Sequence, residues 1–274
     1  MKYLVLGSHG KIGKFLVKYL QKENHEVFTW DIATNSEEDL RISHRIDDLI
    51  NRVDFVYFLA YDIGGSGYLK KYQNTFEFID NNIKIMTNTF NALKYFNKPF
   101  IFTSSEMANL TFSTYGLLKS IGDSYVKSLN SVVTKLWNTY STDDGKDISK
   151  SHVINDFIRM AKTDGKIVIK TNGKEERQLL YVNDCCECLY ILSQNYHNID
   201  RNKEIHIASF RWVSIMEIAK LISNLIGNVP IETSDALDST HQNIKIEPDS
   251  YVLNFWKPKT SLETGILKII DHQN

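Results

Sequence analysis

The opening stretch MKYLVLGSHGKIG restricts the fold more than anything after it. KYLVLG is a short apolar run that halts at glycine, which reads as a buried strand. It passes directly into GSHGKIG, where Gly7, Gly10 and Gly13 are spaced GxxGxxG. Ile12, Phe15, Leu16, Tyr19 and Leu20 then recur at helical spacing. Glycine allows a sharp turn and a close backbone approach to a pyrophosphate, whose charge meets the free N–H groups opening the helix. Three glycines alone are a weak signal, but between a strand and a helix they stand in the context a dinucleotide site requires. The second strand, HEVFTWD, ends in Asp31, the usual place for a carboxylate that binds the adenosine ribose hydroxyls. A carboxylate there repels a 2′-phosphate, so NAD is expected as cofactor ahead of NADP.

The alternation continues. VDFVYFLA, PFIFTSS and SVVTKLWN read as strands; FIDNNIKIMTNTFNALKYF and TYGLLKSIGDSYVKSLN read as helices. Strands alternating with helices predict an α/β fold with a doubly wound parallel sheet. Beyond about residue 140 the pattern loosens. STDDGKDISKSH is polar and loop-like, followed by the helix VINDFIRMAKTDG, a short strand KIVIK and the helix SIMEIAKLISNLIG. The expected division is a dinucleotide-binding core over 1–140 and a smaller lobe over 141–274, with a segment near 180–210 returning to the core.

A net charge of -1 gives no reason to expect nucleic acid or an anionic membrane as partner. No apolar run reaches the length of a membrane span, and the N-terminus does not read as a signal peptide. Cys185, Cys186 and Cys188 lie together in NDCCECLY, with no further ligands nearby for a metal site. They read as buried thiols on a helix, and a reducing cytoplasm is the expected location.

Several landmarks now stand in order: GSHGKIG, FLA, Asn82 in NNIKIMTNTFNAL, the serines of FTSS, and YGLLK. With KLWNTY, GKEERQLLYVND and FWKPKTSLETGI farther on, the chain resembles the extended short-chain dehydrogenase/reductase family over nearly its whole length. The branch it resembles acts on nucleotide sugars. The resemblance implies a Rossmann-type core that contacts the cofactor through Gly7, Gly10, Lys11, Ile12, Gly13, Asp31, Ile32, Asp39, Leu40, Leu59, Ala60, Tyr61, Asn82, Thr103 and Ser104. Tyr115 and Lys119, four residues apart on one helix face, join that set and also form the expected acid–base pair. A neighbouring ammonium favours the phenolate, so Tyr115 can take a sugar hydroxyl's proton as hydride leaves the sugar. Ser105 falls in the family's catalytic position and Ser104 beside the cofactor. MANL replaces the family's tyrosine–glycine here, so a register shifted by one residue stays open.

Two further stretches narrow the branch. YDIGGSG, with Gly64 and Gly65, resembles the substrate loop of GDP-mannose 3,5-epimerase and GDP-fucose synthase. SKSHVINDFIRMA resembles the segment of GDP-fucose synthase that supplies a histidine acid, here His152, next to Val153. Those enzymes carry a cysteine where this chain has Met107, which cannot move a proton. Glu106 stands one position earlier. Arg177 resembles the arginine that grips the nucleotide diphosphate, and Asn138 follows a strand's C-terminal end, where such sheets gather ligands. The resemblance therefore implies an NAD-dependent nucleotide-sugar epimerase working through a transient keto-sugar. An NAD(P)H-dependent keto-sugar reductase is the alternative, or a dehydratase if Glu106 is the acid. A non-catalytic dinucleotide-binding regulator is the reading from another class, and the presence of both Tyr115 and Lys119 opposes it. FEFIDNNIKIMTNTFNALKYF and TYGLLKSIGDSYVKSLN carry apolar residues on more than one side, and the resemblance implies a homodimer in which these two helices pair with their copies.

Overall fold

The computed structural model describes residues 1–110, 112–143, 152–236 and 246–273 of the chain. The first strand, β1 (Lys2–Leu6), leads into α1 (Gly13–Lys22) and β2 (Glu26–Trp30). Then follow α2 (Asp47–Arg52), β3 (Phe55–Phe58), α3 (Ser66–Tyr72), α4 (Phe76–Tyr95) and β4 (Phe100–Ser105). A short 3₁₀ turn over Glu106–Asn109 precedes α5 (Thr114–Ser128) and β5 (Val132–Leu136). The later half holds β6 (Asn138–Tyr140), α6 (Val153–Thr163), β7 (Ile167–Val168), β8 (Glu176–Tyr181) and α7 (Val182–Gln194). It closes with β9 (His206–Ile207), β10 (Trp212–Ser214), α8 (Ile215–Ile226), β11 (Ile231–Glu232) and α9 (Leu262–His272).

The central sheet has the order β2-β1-β3-β4-β5-β9, and every pairing in it is parallel. This is the α/β arrangement that the alternation of elements implies. β3 and β4 are buried along their whole length, which is why FVYF and FIFTSS carry no outward polar alternation. Side chains still divide by parity between the two faces. Tyr3, Val5, Phe55, Tyr57 and Ile101 pack toward α1 and α7, while Leu4, Leu6, Val56, Phe58, Phe100 and Phe102 pack toward α4 and α5. Tyr57 Oη donates to Ser193 Oγ at 2.7 Å, tying β3 to α7. The segment after β8 rejoins the core in two places: α7 packs on α1, and β9 extends the sheet beside β5.

The remaining strands form β10-β8-β6 and β11-β7. KIVIK contributes only Ile167–Val168 as strand, paired with Ile231–Glu232. The helix α8 begins with a capping box between Ser214 and Glu217 and stops at Gly227, whose φ of 111° is left-handed. Most of the polar stretch STDDGKDISKSH, residues 144–151, lies outside the described residues.

Candidate active site

The cleft of about 1130 Å³ opens at the C-terminal ends of the sheet strands, where the chain reverses from β2 to β3 across β1. Gly7 ends β1 with φ +79°, and a Cβ on it would stand 2.7 Å from the Ala60 nitrogen. Only glycine allows that turn beside the end of β3. The first turn of α1 has no side-chain cap; the Lys14 N–H donates to the Gly10 carbonyl at 3.3 Å and the Phe15 N–H to the Ile12 carbonyl at 3.0 Å, and the positive end of the helix lines the cleft through residues 10–14.

Asp31 straddles the entrance to this loop. Its Oδ2 accepts from the His9 N–H at 2.7 Å and its Oδ1 from the Ala33 N–H at 2.9 Å. Glu38 stands beside it, Oε2 accepting from the Asp31 N–H at 2.7 Å. The sequence reading missed Glu38, because nothing in its local pattern shows that residues 32–37 fold back over the end of β2. Asp39 is held below the usual carboxylate range by its hydrogen bonds to Arg41, and Leu40 is buried. Lys11, Ile12, Ile32, Leu59, Ala60, Tyr61 and Thr103 all line the cleft.

Asn82 is the exception. It lies wholly buried behind the wall, its amide spent on the Asp62 N–H, the Asp62 carbonyl and the Phe78 carbonyl. It shapes the loop after β3 and does not reach the cleft. Asp62 also accepts from Tyr68 Oη at 2.6 Å and Asn81 Nδ2 at 3.0 Å, which fixes the turn carrying Gly64 and Gly65 on the cleft wall.

The helix α5 starts at Ser113, whose hydroxyl caps the Gly116 N–H, and it turns Tyr115 and Lys119 inward. Lys119 Nζ donates to the Thr103 carbonyl at 2.8 Å and lies 3.6 Å from the Tyr61 ring centroid. Burial pulls the amine down to about 7. The Tyr115 phenol behaves oppositely to the sequence expectation. Burial pushes it up, Glu106 adds to the rise, and the Ser105 hydroxyl offsets part of it. The Lys119 ammonium, 6.0 Å from the phenol ring centre, does not reverse the effect of burial.

Ser105 and Ser104 take different places. Ser105 Oγ sits beside Tyr115, donates to Glu106 Oε2 at 2.8 Å and accepts from the Met107 N–H at 3.2 Å. Ser104 lies nearer the α5 floor, close enough to Asp123 to lower that carboxyl but too loosely placed for a hydrogen bond. The Glu106 carboxyl is buried on the cleft wall and raised by desolvation, with the Ser105 hydroxyl and then Arg177 acting against the rise. Met107 lines the cleft without any group that moves a proton.

The other wall comes from the later half. His152 caps α6, Nδ1 accepting from the Ile154 N–H at 3.4 Å, and it lines the cleft with Val153, Asn138 and Arg177. Arg177 Nη1 donates to the Glu176 carbonyl at 2.7 Å, so its guanidinium is braced against β8. The three cysteines are buried and their thiols are pushed up by desolvation, Cys185 to about 12, so they stay protonated. Among the described residues no cluster of His, Cys, Asp and Glu suits a metal ion, and no helix is long and apolar enough to cross a membrane.

A glycine turn, an uncapped helix start and a carboxylate just past β2 fit a dinucleotide. The family model described as "NAD dependent epimerase/dehydratase family" matches residues 3–208. A GDP-L-fucose synthase of Sinorhizobium fredii is 32% identical over 139 residues, 48% of this chain and 43% of that protein, so the match spans under half of the relative. A GDP-L-fucose synthase of Dictyostelium discoideum is 23% identical over 89% of this chain and 87% of its own length. The solved GDP-6-OMe-4-keto-L-xylo-heptose reductase from C. jejuni shares the fold, with a TM-score of 0.83 over 100% of this chain and 98% of that one at 18% identity. The chain belongs to the NAD-dependent epimerase/dehydratase family, the branch of extended short-chain dehydrogenases/reductases that work on nucleotide sugars with a nicotinamide dinucleotide.

Proposed function

We propose that this protein is an NAD-dependent nucleotide-sugar epimerase that oxidises a ring carbon transiently and inverts a centre beside the resulting ketone. The observation that carries this reading is the buried Glu106 carboxyl, bonded to Ser105 and within the electrostatic reach of Tyr115, placed to remove the proton beside a ketone, the step that inversion shares with elimination. Inversion beside a ketone needs a second acid–base group in addition to the tyrosine, and Met107 leaves Glu106 as the group on this wall. A carboxyl raised by burial suits that task, because it holds its proton more readily than an exposed one and can return it.

NAD, held by Gly7, Gly10, Gly13 and Asp31, would supply a hydride acceptor and its return. Tyr115 takes the proton of the sugar hydroxyl as the carbon is oxidised, and Ser105 holds that oxygen. Lys119 keeps its positive charge toward the tyrosine and the cofactor ribose. Glu106 removes the proton beside the ketone, and His152 opens α6 on the lobe side, where it can deliver a proton. Arg177 binds the diphosphate through its planar fork. Two carboxylates, Asp31 and Glu38, meet at the ribose corner, which supports NAD over NADP. Ile83 on α4 and Leu117, Ile121 and Tyr125 on α5 are exposed, which supports a homodimer built through these two helices.

The test is incubation with NAD and a panel of nucleotide sugars in D2O. The expected result is a new epimer carrying deuterium beside the oxidised carbon, with no net NADH. Net consumption of NADH would make the protein a reductase, and loss of water from the sugar would make it a dehydratase.

A further inference from the structure

Lys119 is 4% exposed, yet its ammonium has one close oxygen acceptor, the Thr103 carbonyl. Its other near neighbours are rings: Tyr61 at 3.6 Å, Phe102 at 4.8 Å and Tyr115 at 6.0 Å. Attraction to aromatic faces recovers less than removing an ion from water costs. Something else must hold the charge. One helical turn beyond Lys119, on the same face of α5, stands Asp123, 7% exposed. Gly122 lets this part of the helix lie against β4, since a Cβ there would be 2.7 Å from the Phe102 ring.

Asp123 is not an ordinary surface carboxylate turned inward by chance. Its Oδ1 is buried without a hydrogen-bond partner, and it borders a cavity of about 30 Å³ shared with Lys127, Lys135 and Glu204. That is room for roughly one water. Lys135 lies in register with Ser104 and is itself buried, bonded to Glu204 Oε1 at 2.5 Å and Asn109 Oδ1 at 2.7 Å. Glu204, held down to about 2 mainly by its bond to His206, also accepts from His206 Nε2 while Trp137 Nε1 donates to His206 Nδ1. The charges alternate beneath the sheet ends: Lys119, Asp123, Lys135, Glu204.

We infer that Asp123 is a positioning residue for the Tyr115–Lys119 pair, a buried carboxylate that keeps the Lys119 amine cationic inside a closed site. The inference rests on the proposed role of that pair. The groups facing Asp123 are Lys119, Lys127 and Tyr115 on α5, Ser104 on β4, Lys135 on β5 and Tyr61 on the loop after β3; its charge raises Tyr115 as well as Lys119. Those facing Lys119 are Tyr61, Tyr115 and Asp123, and among the described residues Asp123 is the carboxylate that raises it. With the amine pulled down to about 7, its charge at neutral pH depends on the carboxylate beside it. Losing the carboxylate lowers the amine by about one unit, which leaves roughly one molecule in ten charged.

The experiment titrates Lys119 by NMR with isotope-labelled lysine, the resonance assigned by its loss in Lys119→Met. No sugar substrate is needed, so a wrong functional reading and a wrong role for Asp123 are distinguishable. In Asp123→Asn, Lys119 should titrate about one unit lower, and Asp123→Glu should return it toward the wild type. If an active substrate is in hand, kcat of Asp123→Asn at pH 7 should fall about five-fold with KM for the sugar unchanged, and recover at lower pH. A folded Asp123→Asn protein whose Lys119 titrates as in the wild type overturns the inference. If Asp123→Asn does not fold, the wild type decides: the Asp123 carboxyl resonance should step at the Lys119 midpoint, and its absence refutes the coupling.

Discussion

Replacing Glu106 by Gln keeps the shape of the side chain and removes the proton it exchanges. The Ser105 hydroxyl, 2.8 Å from Oε2, retains an amide partner, so the local geometry should survive. Two consequences separate. In catalysis, loss of an acid–base group costs on the order of a hundred- to ten-thousand-fold. That loss should fall on deuterium exchange beside the ketone, while hydride transfer to NAD, which uses Tyr115, changes by less than roughly ten-fold. In stability the sign is reversed. Burial raises the Glu106 carboxyl, so the folded protein binds this proton more tightly than the unfolded chain does. Stability from this group is therefore full below the ordinary glutamate range and is lost as pH rises toward the folded value. Glu106→Gln should then be more stable than wild type at pH 7 by about 1 kcal/mol, or roughly 2–4 °C in Tm, with the gap closing at acidic pH. Stopped-flow NADH absorbance, NMR of the exchanged sugar and calorimetry across pH read these three quantities. Wild-type exchange in Glu106→Gln would refute its role as the base, and a lower Tm at neutral pH would refute the cost of its burial.

Other outcomes follow from the same geometry. Tyr115→Phe should fold, bind NAD and lose about a hundred- to ten-thousand-fold in turnover. Ser105→Ala should impair turnover more than Ser104→Ala, because Ser105 flanks Tyr115 and Ser104 faces Asp123; the reverse order would return Ser104 to the substrate. Calorimetric titration should give tighter binding of NAD than NADP, and Asp31→Asn combined with Glu38→Gln should narrow the difference. Light scattering should report a dimer that Ile121→Glu, at an exposed position on α5, converts to monomer.

How much of this was legible in the chain differs by kind of information. The strand–glycine–helix start, the alternating elements and the Tyr115–Lys119 spacing are local, and each survives into the structure because parallel sheets impose them residue by residue. KIVIK is a strand of two residues only, since its length is set by the short partner at Ile231–Glu232 and not by its own β-branched content. Asn82 shows a subtler limit. An asparagine on a helix near a cofactor reads as a ligand, yet its amide is consumed by the loop at Asp62.

The least legible quantities are the charges. Sequence spacing places an ammonium one turn from a phenol and suggests a lowered tyrosine. Burial decides otherwise, because it acts on both groups in opposite senses: it raises Tyr115 toward the neutral phenol and lowers Lys119 toward the neutral amine. Both shifts favour an uncharged pair, the state least suited to removing a proton. Opposing the Lys119 shift requires a group that spacing alone cannot evaluate, since its worth depends on what β4 and β5 bring against it; Asp123 does so while adding to the rise of Tyr115. Asp123 lies eight residues after Tyr115 on an amphipathic helix, where a carboxylate would pass as a solvated turn. Register places Ser104 alongside Lys135, and that pairing surrounds Asp123 with cations and a hydroxyl. The helix supplies the spacing of Tyr115 and Lys119, but the sheet register beneath it places the carboxylate that acts on the Lys119 charge.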